Sequence, residues 1–154
     1  MQLRWALQAA AWILLAGWFG AFSFFALKIA PTAFQVLPSQ AAAGALVAPL
    51  LASLHNYGIV AGAVLAALGA ALRRGRLAVA LPLALAAICA VSEYAVTPAI
   101  NNVQPRTFGV QPESDAVENF SDLHQLSRAL FGCVQLGALG LILLHARPIR
   151  PPRP

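Results

Sequence analysis

Long apolar runs alternate with short connections that contain proline, glycine or charged residues along the whole chain. The apolar runs cover about residues 5–30, 42–72, 77–100 and 120–146. Each run exceeds the roughly 20 residues that an α-helix needs to cross the hydrocarbon core of a bilayer. The first run is longer than the apolar part of a signal peptide and has no A-x-A-type cleavage site after a short apolar stretch, so we expect it to be retained. The pattern therefore predicts four membrane-spanning helices.

Composition supports a membrane protein and argues against a nucleic-acid-binding one. Of the 154 residues, 60% are hydrophobic and 10% are charged, whereas roughly a quarter of the residues in a soluble domain are charged. The mean hydropathy is +0.73. Lys and Arg number 10 against 5 Asp and Glu, but they lie in short clusters beside apolar runs, and no soluble element presents a basic face. We therefore expect membrane lipids, and no nucleic acid, as partners.

The basic residues define an orientation in the membrane. Arginines dominate one side: Arg4, the three of residues 73–76, Arg147, Arg150 and Arg153. The other side has Lys28 and Arg106. Because Lys and Arg are enriched in cytoplasmic loops, we predict that both termini are cytoplasmic and that the chain lies in the cell's inner (plasma) membrane. The predicted fold is an all-α integral membrane four-helix bundle, with residues 1–146 as one domain and a basic, Pro-rich cytoplasmic tail at 147–154.

Two helix starts are marked by their polar residues. Ser39 follows a proline and is predicted to cap the second helix. Acidic residues precede the last apolar run and suit the positive N-terminal end of a helix, so that helix is predicted to begin as early as Ser114.

Small residues predict faces where helices pack closely. Seven of them share the helical stripe of His55 on the second span: Gly44, Ala48, Ala52, Gly58, Gly62, Ala66 and Gly69. Small residues let helix backbones approach each other, so we expect His55 to face other helices and not lipid. Because the chain is short for a transporter, we also expect self-association or a partner membrane subunit that uses such faces.

The ionisable residues of the four spans fall at a similar depth. Counted from the arginine side at about 1.5 Å per residue, each helix places such a residue in the outward third of a core about 30 Å thick. They form a predicted polar layer of Lys28, His55, Glu93, His124 and Arg128, with Ser127 beside them. A charge in a low dielectric needs a partner, so we predict an ion pair between Glu93 and Arg128. His55 and His124 would each hydrogen-bond Glu93 or line a water-filled recess.

Two interpretations of this polar layer stay open. In the first, its residues only hold a Gly- and Ala-rich bundle together, as in a purely structural membrane subunit. In the second, they form a site that binds or conducts a polar or anionic solute from the outer side of the membrane. The positive charges of Lys28 and Arg128 favour an anion over a metal cation, so we predict no metal and no cofactor.

Enzymatic chemistry has little support in the sequence. Ser121 and Ser127 flank His124, but no glycine-framed serine turn accompanies them. Cys89 and Cys133 lie in apolar runs without a C-x-x-C pair, as small buried hydrophobic residues do. We therefore favour a non-enzymatic protein, with transport or solute binding as its function.

Two short motifs resemble a known membrane family. One is Ala30-Pro31-Thr32-Ala33-Phe34 through Leu37-Pro38 to Ala43-Gly44, and the other is Phe120-x-x-Leu-His124-x-x-Ser127. They are similar to the family catalogued as domain of unknown function 4149, which groups bacterial four-span proteins with eukaryotic transmembrane-protein-205-like proteins. The resemblance covers roughly residues 12–144. It implies a four-helix membrane bundle with His124 and Ser127 as signature positions, and it implies no particular reaction.

The architecture is also distantly similar to that of copper-resistance-D-like proteins and of the four-helix protoporphyrinogen oxidase. A likeness of architecture is an analogy and does not establish a mechanism. It implies an alternative function, that of a membrane redox protein that binds haem or copper with His55 and His124 as ligands.

Overall fold

Four long helices make up the part of this protein that the structure describes. The computed structural model describes residues 2–108 and 113–146, and this part of the chain is helical and contains no β-strand. Helix α1 is Gln2–Val36, α2 is Gln40–Ala71, α3 is Leu77–Thr107 and α4 is Ser114–Ala146. The predicted all-α class and the four helices are confirmed for the described residues. The predicted tail at 147–154 lies outside them.

Each helix is long and apolar enough to cross a membrane. The helices contain 35, 32, 31 and 33 residues, or about 46–53 Å at 1.5 Å per residue. In the most apolar 18-residue stretch of each helix, 22–33% of the residues are buried inside the molecule. Large side chains such as Leu3, Ile13 and Leu136 project outward and are 72–73% exposed. Such an apolar exterior suits lipid as the surrounding solvent, so the structure is compatible with a multi-pass membrane protein.

The helices pack as a ring in chain order. Helix α1 contacts α2 and α4, and α3 contacts the same two helices, with the most extensive contact between α2 and α3. Large side chains from all four helices fill the centre: Leu15, Trp18, Phe22, Leu65, Leu85, Val134 and Leu141. Short connections make each helix antiparallel to the next one. Ser39 caps α2, as predicted, because its hydroxyl accepts a hydrogen bond from the N–H of Ala42 at 3.1 Å.

Small residues on α2 permit its close contact with α3. Gly58, Gly62 and Gly69 are buried on the face that meets α3. A Cβ atom added to Gly62 would lie 2.6 Å from the backbone oxygen of Pro82, closer than atoms pack. His55 lies among these glycines and is 3% exposed. The predicted inward orientation of His55 is confirmed, and the small-residue face packs against a helix of the same chain.

Helices α1 and α3 each continue past a proline, and α1 extends beyond its predicted end at residue 30. In α3, Ser92–Val96 form a π-helical turn, and the N–H of Thr97 bonds the carbonyl of the turn's first residue. Pro98 follows directly and has no N–H to donate. Helix α1 has the same arrangement, with a π-helical turn at Phe25–Ile29 and Pro31 two residues beyond. A π turn shifts the hydrogen-bond register by one residue, so each helix continues past its proline.

The end of α3 extends beyond its predicted limit and is tied to the start of α4. The hydroxyl of Thr107 lies 3.0 Å from the carbonyl oxygen of Val103 and 3.1 Å from that of Ala116 on α4. Arg106 and Glu113 form an exposed ion pair at 3.5 Å. Residues 101–107 are thus helical and joined to α4, although they are polar, contain Pro105 and lie beyond the predicted end of the third span.

The turn between α2 and α3 holds the other end of α4. Arg74 Nη1 donates a hydrogen bond of 2.8 Å to the carbonyl oxygen of His145. The last carbonyls of a helix lack intrahelical partners and carry partial negative charge, so this guanidinium caps α4. His145 is 4% exposed, and its Nδ1 lies 2.9 Å from the carbonyl oxygen of Leu141. We call this end of the bundle, which also contains Arg4, the arginine end.

Candidate functional site

A cavity of about 760 Å³ opens among the four helices at the end opposite the arginine end. Its lining includes Phe34 of α1, Leu51 of α2, Gln104 of α3 and Arg128 of α4. The cavity begins at the level of the two π turns: Phe25 and Ala26 of the α1 turn line it, as do Ala30 and Thr97, which directly follow the two turns. The π turns therefore lie at the boundary between the tightly packed part of the bundle and this open part.

The walls of the cavity differ in polarity. Apart from Gln40 at the start of α2, its polar lining comes from α3 and α4: Thr97, Asn101, Gln104, His124, Ser127 and Arg128. Helix α1 contributes apolar residues alone: Phe25, Ala26, Ala30, Pro31 and Phe34. The cavity thus has an apolar wall on α1 and a mixed wall on α3 and α4, which carries most of the polar groups together with aromatic rings.

Arg128 lies in the cavity wall and forms no ion pair with any acidic residue. All acidic residues of the chain fall within the described segments: Glu93, Glu113, Asp115, Glu118 and Asp122. The ion pairs of those segments are His55–Glu93 and Arg106–Glu113. The predicted Glu93–Arg128 ion pair is therefore wrong. The Glu93 carboxylate belongs to a π turn beneath the cavity and points to His55 on α2, whereas the Arg128 guanidinium lines the cavity from α4.

His55 and Glu93 form a buried pair beneath the cavity floor. His55 Nδ1 lies 3.1 Å from Glu93 Oε2, and their side chains are 3% and 14% exposed. Leu51 and Thr97, each four residues nearer the cavity, belong to the cavity lining. The pair thus lies one helical turn below the cavity, and the hydrogen bond expected between these two residues is present.

His124 lines the cavity and does not hydrogen-bond Glu93. Its ring stacks on Phe120, with centroids 5.8 Å apart and planes inclined by 7°. Phe108 meets Phe120 edge to face at 5.1 Å. His124 is the deeper end of this row of aromatic rings, which matches the expected recess and not the expected hydrogen bond.

Ser127 and Lys28, the remaining residues of the predicted polar layer, also lie in different places. Ser127 lines the cavity beside Arg128. Lys28 is exposed and is not among the cavity-lining residues. The sequence predicted one polar layer, but the structure shows a buried pair, a cavity wall with polar groups and a separate surface lysine.

The cavity floor contains a contact that the sequence did not predict. Phe131 packs on Phe22 and Phe25 of α1, with ring centroids 5.0 and 6.0 Å away. One turn deeper, Gln135 donates hydrogen bonds to the hydroxyl of Ser23 and to the carbonyl oxygen of Phe19. In the sequence, Gln135 falls on the same helical face as His124, but a single sequence does not show which helix faces it.

The polar residues Gln40, Asn101 and Gln104 were also missed as cavity-lining groups. Gln104 lies opposite Gly44, where an added Cβ atom would be 3.3 Å from its Nε2. Asn101 and Gln104 lie beyond the predicted end of the third span at residue 100, in a polar segment that contains Pro105. Helix-spaced amides at positions 101 and 104 were the signal for a polar helical face.

Metal-ligating side chains do not cluster in residues 2–108 and 113–146. No group of three or more His, Cys, Asp and Glu side chains there is placed to hold one metal ion. Both cysteines are free thiols, with Cys89 buried against Gly58 and Cys133 exposed on α4. His55, bonded to Glu93, and His124, stacked on Phe120, belong to different environments.

Comparison with protein-family models, with curated proteins and with solved structures gave no match in any of the three. The function is therefore argued from the cavity itself.

Proposed function

We propose that this chain is a multi-pass protein of the cell's inner membrane, with both termini and the arginine end in the cytoplasm and the cavity open to the other side. Four long apolar helices with apolar exteriors support insertion into lipid. The arginines at one end support this orientation through the positive-inside rule. Membership of the four-span family named above is proposed on the two motifs alone.

We further propose that the cavity binds an anionic solute. The observation that carries this proposal is Arg128, which lines the cavity and has no carboxylate partner within the described chain. A guanidinium at membrane depth is costly unless it faces a partner or water, and its planar fork suits carboxylate and phosphate groups. Ser127 and Gln104 add hydrogen-bonding groups to the same cavity.

A purely structural role accounts for the buried pair better than for the cavity. His55 and Glu93 satisfy each other at 3.1 Å between α2 and α3, as residues that join two helices do. Arg128 joins no helix to another through an ion pair. The proposed solute would supply the charge that the chain itself does not place beside Arg128.

The test is the effect of anions on thermal unfolding of the purified protein in detergent. Phosphate, sulfate and benzoate are added at constant ionic strength, since a ligand that binds the folded state raises the unfolding midpoint. We expect at least one anion to raise the midpoint of the wild type and of Lys28→Gln, but not of Arg128→Gln. Lys28→Gln is the matched control, because it removes the same charge outside the cavity. An equal rise in Arg128→Gln, or no rise with any anion, would contradict the proposal.

The redox alternative has a separate measurement. A haem- or copper-binding protein with His55 and His124 as ligands would purify with a stoichiometric Soret band or copper content. Either result would replace solute binding as the leading function. Self-association or a partner subunit is also proposed, and light scattering of the detergent-purified protein measures it.

A further inference from the structure

We infer that the anion is an amphipathic one: an aromatic or similarly flat apolar carboxylate, and not an inorganic ion. This inference rests on the proposed anion-binding function and names the class of its ligand. It follows from the unequal walls of the cavity, from their aromatic content and from the cavity's size.

Aromatic rings line the cavity on both sides. The chain has 8 phenylalanines, and five of them line the cavity: Phe25 and Phe34 on the apolar wall of α1, and Phe108, Phe120 and Phe131 at the end of α3 and on α4. Aromatic rings pair favourably edge to face or offset with other rings. A hydrophilic anion such as phosphate would gain nothing from these rings, whereas a ring-bearing anion would bury its apolar body against them.

The mixed wall receives the charged end of the same ligand. Arg128, Ser127 and His124 lie on α4, and Asn101 and Gln104 lie on α3. A guanidinium binds a carboxylate through two parallel N–H···O bonds. Amide and hydroxyl groups add neutral donors. Because α1 faces these groups with apolar residues alone, a ligand that satisfies both walls carries its charge at one end.

The size of the cavity agrees with this class. Its volume of about 760 Å³ falls within the roughly 300–1,000 Å³ of sites for organic ligands. An inorganic anion held by Arg128 would leave most of that space to water or lipid.

The experiment compares three probes by titration calorimetry on the detergent-purified full chain: 1-naphthoate, its neutral amide 1-naphthamide, and phosphate. Two pairs of variants test the contribution of each wall to binding separately. Arg128→Gln tests the mixed wall against Lys28→Gln. Phe34→Ala tests the apolar wall against Phe24→Ala, since both rings are exposed on α1 but Phe24 is not a cavity-lining residue.

We expect 1-naphthoate to bind the wild type at least about tenfold more tightly than phosphate or the amide does. Arg128→Gln should weaken this binding about tenfold or more, as loss of a charged hydrogen bond does. Phe34→Ala should weaken it about threefold, as loss of one aromatic contact does. Phe24→Ala and Lys28→Gln should leave it unchanged. The unfolding midpoint of each variant reports whether it folds.

The failures of the two proposals are distinguishable. If phosphate binds in an Arg128-dependent way and naphthoate binds no better, the anion site stands and its aromatic specificity is wrong. Equal effects of Phe34→Ala and Phe24→Ala on naphthoate binding would also overturn the aromatic specificity. If no probe shows Arg128-dependent binding, both proposals fail.

Discussion

Replacing His55 with leucine removes the partner that lies 3.1 Å from the Glu93 carboxylate between α2 and α3. The carboxylate is then left without its hydrogen bond in an interior where few other donors are in reach. We expect a loss of about 1–3 kcal/mol in the free energy of unfolding, measured in mixed micelles. The double variant His55→Leu with Glu93→Leu should recover much of this loss, because replacing both members of a buried pair removes the unsatisfied charge as well.

The neighbouring pair supplies a control for this prediction. Tyr94 Oη donates a hydrogen bond of 2.9 Å to Asn56 Oδ1, one residue along each helix, on the exposed surface. Tyr94→Phe should change the free energy of unfolding by no more than about 0.5 kcal/mol. A loss in Tyr94→Phe as large as in His55→Leu would show that burial does not determine the cost.

At this scale, the sequence predicts burial better than it predicts partners. The small residues around His55 correctly indicated that it faces another helix. The pairing of Arg128 with Glu93 was predicted by a different argument: counting residues from the arginine end, which gives depth along a helix. It does not give the direction in which each side chain points around the axis, and that direction separates these two residues.

At the level of the helices, Gly62→Ala tests the close contact of α2 with α3. The added Cβ atom would lie 2.6 Å from the backbone oxygen of Pro82 and 2.7 Å from Ala86 Cβ. A backbone oxygen cannot rotate away, so the helices must separate. We expect a loss of about 1–3 kcal/mol in the free energy of unfolding, measured in the same micelles.

Gly20→Ala is the matched control for this substitution. A Cβ atom at Gly20 meets nothing within 4 Å, and alanine has the higher helix propensity. We expect no loss of stability, or a small gain. If Gly62→Ala were equally harmless, the close approach of the two helices would not be required for folding.

Helix number and type were predictable because each apolar run exceeds the length of a membrane span. The end of α1 was not, since a proline such as Pro31 is normally a reason to end a helix. The π turns before Pro31 and Pro98 move the hydrogen-bond register so that each helix continues, and no residue pattern in the sequence predicted these turns. The cavity wall at residues 101–107 was missed for another reason: its residues are polar and include Pro105, which favoured a connection over a helix.

For the molecule as a whole, cysteine labelling tests the proposed orientation. Cys133 is exposed and Cys89 is buried, so Cys133→Ala provides a background that should not react with a membrane-impermeant maleimide. In that background, Gln35→Cys lies at the cavity end and Gln2→Cys at the arginine end, both at exposed positions. In intact cells, we expect Gln35→Cys to be labelled and Gln2→Cys to react only after permeabilisation.

The controls for this experiment are Cys133→Ala alone, which should stay unlabelled, and permeabilised cells, in which both cysteine variants should react. Labelling of Gln2→Cys in intact cells would show the opposite orientation, with the cavity open to the cytoplasm. The anion site would then take up its ligand from inside the cell.

The two π turns divide α1 and α3 into a lower shaft and a short upper arm. A helix bends most readily where its bonding ladder changes register and a proline withholds a donor. The shafts pack between α2 and α4, and the α3 arm is joined to the start of α4 by the hydrogen bond of Thr107. Tilting of the α1 arm would therefore widen or narrow the opening of the cavity without separating α2 from α3 at their glycine contacts below.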